Sequence, residues 1–390
     1  MKILITTDTY FPMINGVVTS IYNLYKELKN NNYDVKILTL SPTGNEKIIG
    51  DIYYLKSIGV GIYPNARIKV PFRNKIINRL IDWKPDMIHS QTEFSTLFAA
   101  KYIAGKINAP QIHTYHTMYE EYLDYLLGGK LIKKSAVGKI TRLILNSLDG
   151  VVVPTEKTKK MLLHYGVNKP INVIPTGIDL NRFCRPLLTN EKKEILSTLG
   201  IKNTDKIIAY IGRIGKEKNI NEILTLFNTV VKRIKNIKLL IVGDGPYLQN
   251  LKEQVHTEVL EDTVVFTGMI DPKEIYKYYK IADIFVTAST SETQGLTYIE
   301  ALSSGCPVVC KYDPCIDGII LQGKNGFSYK EPWEFSYYID KILKDENLKN
   351  KLSEEAVRTS KKYSSCIFTH RVIETYSKIL NTKCQNITVQ

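Results

Sequence analysis

The chain has 390 residues, 44% of them hydrophobic and 24% charged, which excludes a disordered protein and is enough for two domains with separate cores. Its net charge of +14 is uneven: residues 1–200 carry 27 Lys and Arg against 16 Asp and Glu, residues 201–390 carry 26 against 23, so +11 lies in the first half. No apolar run approaches the roughly 18 residues of a membrane span, and "MKILITTDTYF" turns polar too soon for a signal peptide, so a cytosolic protein is expected.

In chain order, "KILIT" reads as a strand, followed by "DTYFPMINGVVTS", where Gly16 opens a helix and lets a ligand approach the backbone. The helix "GVVTSIYNLYKELKN" and the strand "DVKILTL" come next. Residues 66–84, "ARIKVPFRNKIINRLIDWK", hold six basic residues and one acid, Asp82. At about 100° per residue, Phe72, Ile76, Ile77, Leu80, Ile81 and Trp83 fall on one half of a helix. Lys75, Asn78, Arg79 and Asp82 fall on the other. An ordinary surface helix packed on its own sheet is one reading; with a second basic run at 130–142 in the same domain, the expected one is a helix docking on an anionic membrane through Arg73, Lys75, Arg79 and Trp83. Strands "DMIHS" and "PQIHTY" lead to His116, placed to face a ligand, and His113, which reads as structural; "KLIKKSAVGKITR", residues 130–142, adds five basic residues and no acid.

After "GVVVPT" and "INVIPTG", residues 180–204 are polar and strandless, and a second strand series begins at "KIIAYIGR". Arg213 and Lys218 in "IGRIGKEKN" stand at a strand end, one a planar fork and one a point charge, suited to a diphosphate; Lys216 reads as solvated. "IVGDGPYL" and "VVFTGMI" end strands in glycine turns where a flat base could rest, or which are simply turns. "ADIFVTAS" is a strand and "GLTYIEALSSG" a helix, so in "SETQGLTYIEAL" Glu292 lies in the loop between them and Glu300 about one turn into the helix. The N–H groups of Gly295, Leu296 and Thr297 would attract an anion between the two acids. The plainer reading is acids complementing a helix dipole. "CPVVCK" closes the series, and the six cysteines show neither a metal-ligand pattern nor a disulfide framework.

The repeated strand and helix punctuation implies parallel sheets with helices on both faces. The expected architecture is α/β: two doubly wound, Rossmann-like domains facing a central cleft. The expected divisions are an N-terminal domain over 1–185, a linker over 186–204, a second domain over 205–365, and a helical segment over 366–390 returning to the first.

Together "GRIGKEKN", "VGDGP", "VVFTG" and "SETQGLTYIEALSSGCPVV" resemble the family 4 retaining glycosyltransferases of GT-B fold, over nearly the whole chain. Glu292 and Glu300 form that family's E-x7-E signature. "TDTYFPMINGVVTSI" and "HTYHTMYEEYLDYL" are similar to its diacylglycerol glucosyltransferase branch, although Asn15 stands where many members have a first glycine. The resemblance implies that Glu300 binds the ribose of a UDP-sugar, Glu292 the transferred sugar, and Gly295 to Thr297 the diphosphate or sugar. It implies that Arg213 and Lys218 stabilise the departing diphosphate, that His116 holds the sugar or an acceptor hydroxyl, and that the base rests near Met269 and Ile270. Gly16 joins the donor site. No Asp-x-Asp occurs, so cations are expected in place of a metal, with no cofactor, and retention of configuration is implied. The implied partners are a UDP-sugar, with glucose the hexose expected to be moved, a membrane lipid such as diacylglycerol, and the inner face of the cell membrane, where the protein sits peripherally. Three function classes are compatible with these features: a glycosyltransferase, with a glycan, protein or soluble molecule as the alternative acceptor; a nucleotide-sugar epimerase; and a nucleic-acid binder, which rests on charge alone.

Overall fold

The computed structural model describes residues 1–13, 15–59, 67–68, 74–118 and 134–388. Two compact units divide it: Met1–Ile178 with Ser365–Gln390, and Asp179–Ser364.

The first unit is built on an eight-stranded sheet. In spatial order its strands are Ile171–Val173, Gly150–Val153, Gln111–Thr114, Met87–Ser90, Lys2–Thr7, Asp34–Leu40, Ile52–Leu55 and Lys47–Ile49. All pairings are parallel except that of the last two. Period-two alternation sends Ile3, Ile5, Met87, Ile112 and Val152 to one face, under helices Gly16–Asn30 and Ser365–Thr388. Leu4, Ile88, Val151 and Val153 point to the other, under Lys75–Trp83, Ser95–Ile107, Lys134–Leu145 and Glu156–His164.

The membrane reading of residues 66–84 requires a correction. Ile76, Ile77 and Leu80 are buried in the unit's own core beside Leu4, Leu38 and Ile88. Trp83 is partly buried: its indole N–H donates to Asp34 Oδ2 at 3.0 Å, and Lys36 Nζ lies 4.4 Å from its ring. The amphipathic face therefore covers the sheet, which is equally apolar, while Lys75 and Arg79 are exposed; Phe72 and Arg73 lie outside the described residues.

The second unit holds six parallel strands in the order Val264–Gly268, Ile237–Val242, Lys206–Ile211, Ile284–Thr287, Val308–Lys311 and Gly326–Tyr329. Helices Ile220–Val231, Leu248–Thr257 and Pro332–Lys344 cover one face through Ile223, Phe227, Leu251, Phe335 and Ile339. On the other face a run of rings, Phe183, Tyr279, Phe285 and Tyr298, is spaced 6.1, 5.6 and 6.4 Å. The stretch 186–204, expected as a linker, belongs to this unit, which begins at Asp179. It carries helix Thr189–Thr198, anchored by buried Leu196 and by Glu191, 2.8 Å from Lys277 Nζ. It reads as a linker in sequence because most of that helix faces water.

The helix Ser365–Thr388 is bound to the first unit by Phe368, Val372 and Tyr376. The Tyr376 hydroxyl lies 2.7 Å from His89 Nδ1, and Thr114 Oγ1 lies 2.7 Å from Nε2. Burial holds the His89 pKa well below its ordinary value, so the ring is neutral and its one donor and one acceptor are both used. Tyr376→Phe removes one partner, and a loss of about 1 to 3 kcal/mol is expected in the urea unfolding of the first unit. Wild-type stability in that variant would show that the hydroxyl does not tie the helix down.

Candidate active site

In the second unit the strand order reverses between Lys206–Ile211 and Ile284–Thr287. The helices that follow these strands leave to opposite faces, since Ile220, Ile223 and Phe227 pack with Ile284 and Val286 whereas Tyr298 packs against Phe285. Opposite exits open a crevice beyond the strand ends. Arg213 and Lys218 follow the first strand, Glu292 and Gly295 the second, so the geometry of the sheet brings together loops some 75 positions apart.

Glycines determine how closely these loops approach. A Cβ at Gly243 would lie 2.0 Å from the Gly212 carbonyl oxygen, and one at Gly245 would lie 2.2 Å from that of Ile214. The "VGDGP" glycines thus admit the loop bearing Arg213, whose Gly212 and Ile214 N–H groups donate to Val242 and Asp244 at 2.9 Å. Gly295 has φ +73 and ψ 84 just before helix Leu296–Ser303. A Cβ there would meet the Tyr298 ring at 2.5 Å, so both backbone conformation and space require glycine.

Lys218 closes a short 3-10 turn, Lys216–Lys218, and its Nζ pairs with Glu292 Oε1 at 2.6 Å. Both side chains are mostly buried, at 16% and 19% exposure, where a charge-assisted bond is stronger than on the surface. Arg213 pairs with Glu217, and Lys216 is exposed. Glu300 Oε2 accepts from the Tyr279 hydroxyl at 2.9 Å. Burial raises the Glu300 pKa, opposed by the Tyr279 hydrogen bond and the charge of Arg182. Met269, 64% exposed, and Ile270 follow strand Val264–Gly268 at the edge of the sheet.

Gly16 and His116 lie in the first unit. Asn15 caps helix Gly16–Asn30, its Oδ1 accepting from the Val18 N–H at 2.9 Å, which is a use for asparagine where the family often has glycine. His116 Nε2 lies 2.8 Å from Gln91 Oε1. Burial, with the charge of His113, pushes the His116 pKa down to about 3, so the imidazole is neutral through the physiological range. His113 is buried, 3.0 Å from Glu93 Oε1 and 3.1 Å from Ser90 Oγ.

Sequence reasoning did not single out Glu217, Tyr279, Arg182, Asp8, Gln91 or Glu93. Asp8 accepts from the Thr96 N–H at 3.0 Å, and burial raises its pKa to about 6. Its place directly after a strand was the available signal; Tyr279 and Arg182 offer none, because they reach Glu300 only through packing. Among the described residues, no group of three or more His, Cys, Asp or Glu side chains is placed to hold a metal ion.

Residues 191–359 match the family described as glycosyl transferases group 1, and residues 14–182 match Glycosyltransferase Family 4. The chain is 41% identical over 331 residues to the alpha-monoglucosyldiacylglycerol synthase of Streptococcus pneumoniae, covering 84% of this chain and 75% of that protein. It is 30% identical over 380 residues to the enzyme of the same name from Acholeplasma laidlawii, covering 94% of each. The crystal structure of Anabaena HepE in complex with UDP-glucose is similar in fold, with a TM-score of 0.77 and 16% identity over 97% of this chain and 100% of that one. The fold is that of the GT-B glycosyltransferases. The chain belongs to glycosyltransferase family 4, as its loop motifs lead one to expect.

If Glu300 holds ribose hydroxyls and Glu292 the transferred sugar, Glu300→Ala weakens UDP itself by about ten- to a hundredfold, whereas Glu292→Ala mainly slows transfer. Calorimetry with UDP distinguishes them; unchanged UDP affinity in a folded Glu300→Ala protein would refute the assignment.

Proposed function

We propose that the protein transfers glucose from UDP-glucose to diacylglycerol with retention of the α configuration, at the surface of an anionic membrane. The observation that carries this reading is the Lys218–Glu292 pair at a sheet switch point, in a chain 41% identical to a synthase whose name specifies one α-linked glucose on diacylglycerol.

The donor lies over the second unit. Glu300 takes the ribose hydroxyls, Gly268 to Ile270 support the base, and the N–H groups of Gly295, Leu296 and Thr297 meet the diphosphate with Arg213 and Lys218. An arriving diphosphate competes with Glu292 for Lys218, which turns Glu292 toward the sugar hydroxyls. Because donor and product share the α configuration, the acceptor oxygen attacks from the face the diphosphate leaves. The bond from C1 to the diphosphate oxygen breaks, that to the acceptor oxygen forms, and the acceptor proton passes to the departing diphosphate. Charge grows on the leaving group, and Arg213, Lys218 and the helix N-terminus offset it, so a divalent cation is dispensable. In the first unit, His116 offers a neutral imidazole to an acceptor hydroxyl.

Attachment to the membrane is assigned to another helix than the one expected. No helix among the described residues is long and apolar enough to cross a membrane. Helix Lys134–Leu145 exposes Ile140 (55%) and Leu143 (68%) beside exposed Lys139 and Arg142. Its Gly138 lies against the Tyr165 ring, where a Cβ would come within 2.9 Å, so this helix packs inward by a small residue and outward presents two apolar and two basic ones. Each basic residue contributes roughly 1 kcal/mol at an anionic surface, with exposed Lys75 and Arg79 adding to the field.

The test is product analysis with UDP-glucose, UDP-galactose and vesicles of diacylglycerol in anionic lipid. An α-glucosyl diacylglycerol is expected, formed equally in EDTA; a product on another acceptor, or UDP-sugar interconversion without transfer, would refute the reading. Ile140→Asp with Leu143→Asp should reduce vesicle binding and lipid turnover and leave UDP affinity unchanged.

A further inference from the structure

Glu217 sits inside the turn that carries Lys218, and no role above uses it. Its side chain is 5% exposed, whereas that of Arg213, four residues earlier, is 34% exposed. The pair therefore presents its guanidinium outward and keeps its carboxylate within, where an anion persists only if paired or hydrogen-bonded. The backbone on both sides is held: the Ser291 hydroxyl donates to the Glu217 carbonyl at 3.1 Å, and the Tyr210 hydroxyl donates to the Arg213 carbonyl at 2.9 Å. Between them, Gly215 has φ −118 and ψ 156, a conformation open to any residue. Yet a Cβ at Gly215 would lie 2.3 Å from Glu217 Oε2 and 2.5 Å from Oε1. This glycine makes room for the carboxylate.

We infer that Glu217 is a positioning residue for the donor: from beneath, it holds one edge of the Arg213 guanidinium and so sets the plane in which the other N–H groups meet the diphosphate. The inference rests on the diphosphate role proposed for Arg213. A guanidinium is a planar fork with five N–H donors, so one edge can be held by an anion while another binds a ligand. Holding it before the donor arrives removes part of the cost of ordering a long side chain on binding. A diphosphate approaching from solvent meets the guanidinium before it meets the carboxylate.

The experiment compares wild type with Glu217→Gln, Gly215→Ala, Arg213→Ala and the double variant Glu217→Gln with Arg213→Ala, by UDP calorimetry and by turnover of UDP-glucose. Thermal unfolding checks that each is folded. Glu217→Gln and Gly215→Ala are each expected to weaken UDP by about five- to twentyfold and to lower kcat with the acceptor KM unchanged. On the Arg213→Ala background, Glu217→Gln should cost nothing further, because the two act as one unit. Losses that add, or tighter UDP binding by Glu217→Gln, would overturn the inference and leave the role of Arg213 standing. An Arg213→Ala protein with wild-type UDP affinity and turnover would overturn both.

Discussion

The reversal of strand order beside Lys206–Ile211 is the constraint on which the rest of the second unit depends. Parallel strands require crossovers, and where two crossovers leave to opposite faces, the strand ends between them cannot be covered by either helix. The loops after Ile211 and Thr287 occupy that opening. Once there, they must pass within backbone contact of neighbouring loops, which is why glycine stands at 243 and 245. The gathering of Arg213, Lys218 and Glu292 at this opening follows from topology first and from side chains second.

Charge balance is the second constraint. The crevice concentrates two cations, Arg213 and Lys218, in partly buried positions, and each lies against an acid, Glu217 or Glu292. Low dielectric surroundings make an unpaired charge costly and a paired one specific in direction. The two pairs differ in kind. Lys218 and Glu292 come from separate loops and are similarly exposed, so a ligand can exchange with either; Glu217 lies deeper than Arg213 and acts as its support.

Much of this was legible in the sequence, and what was not has definite causes. The loop and helix across "SETQGLTYIEAL" could be placed because a β-branched strand precedes it and helical periodicity follows. The family was legible from four loop motifs in one order. The helix Lys75–Trp83 departs from the membrane expectation because periodicity shows that a face is apolar and not what covers it; the sheet covers it. The helix Lys134–Leu145 is the opposite case, with Ile140 and Leu143 on its outer side. Thr189–Thr198 looked like a linker because its buried contribution rests on Leu196. Tyr279 and Arg182 could not be found in advance, since their bearing on Glu300 exists only in the folded chain.

The proposed function requires the donor diphosphate to bind at the switch point of the second unit. A crystal structure of the protein with UDP-glucose tests it most directly. Diphosphate oxygens are expected within hydrogen-bond distance of Arg213, Lys218 and the N–H groups of Leu296 and Thr297, with ribose hydroxyls on Glu300. A nucleotide bound elsewhere, or one whose diphosphate touches neither cation, would contradict it.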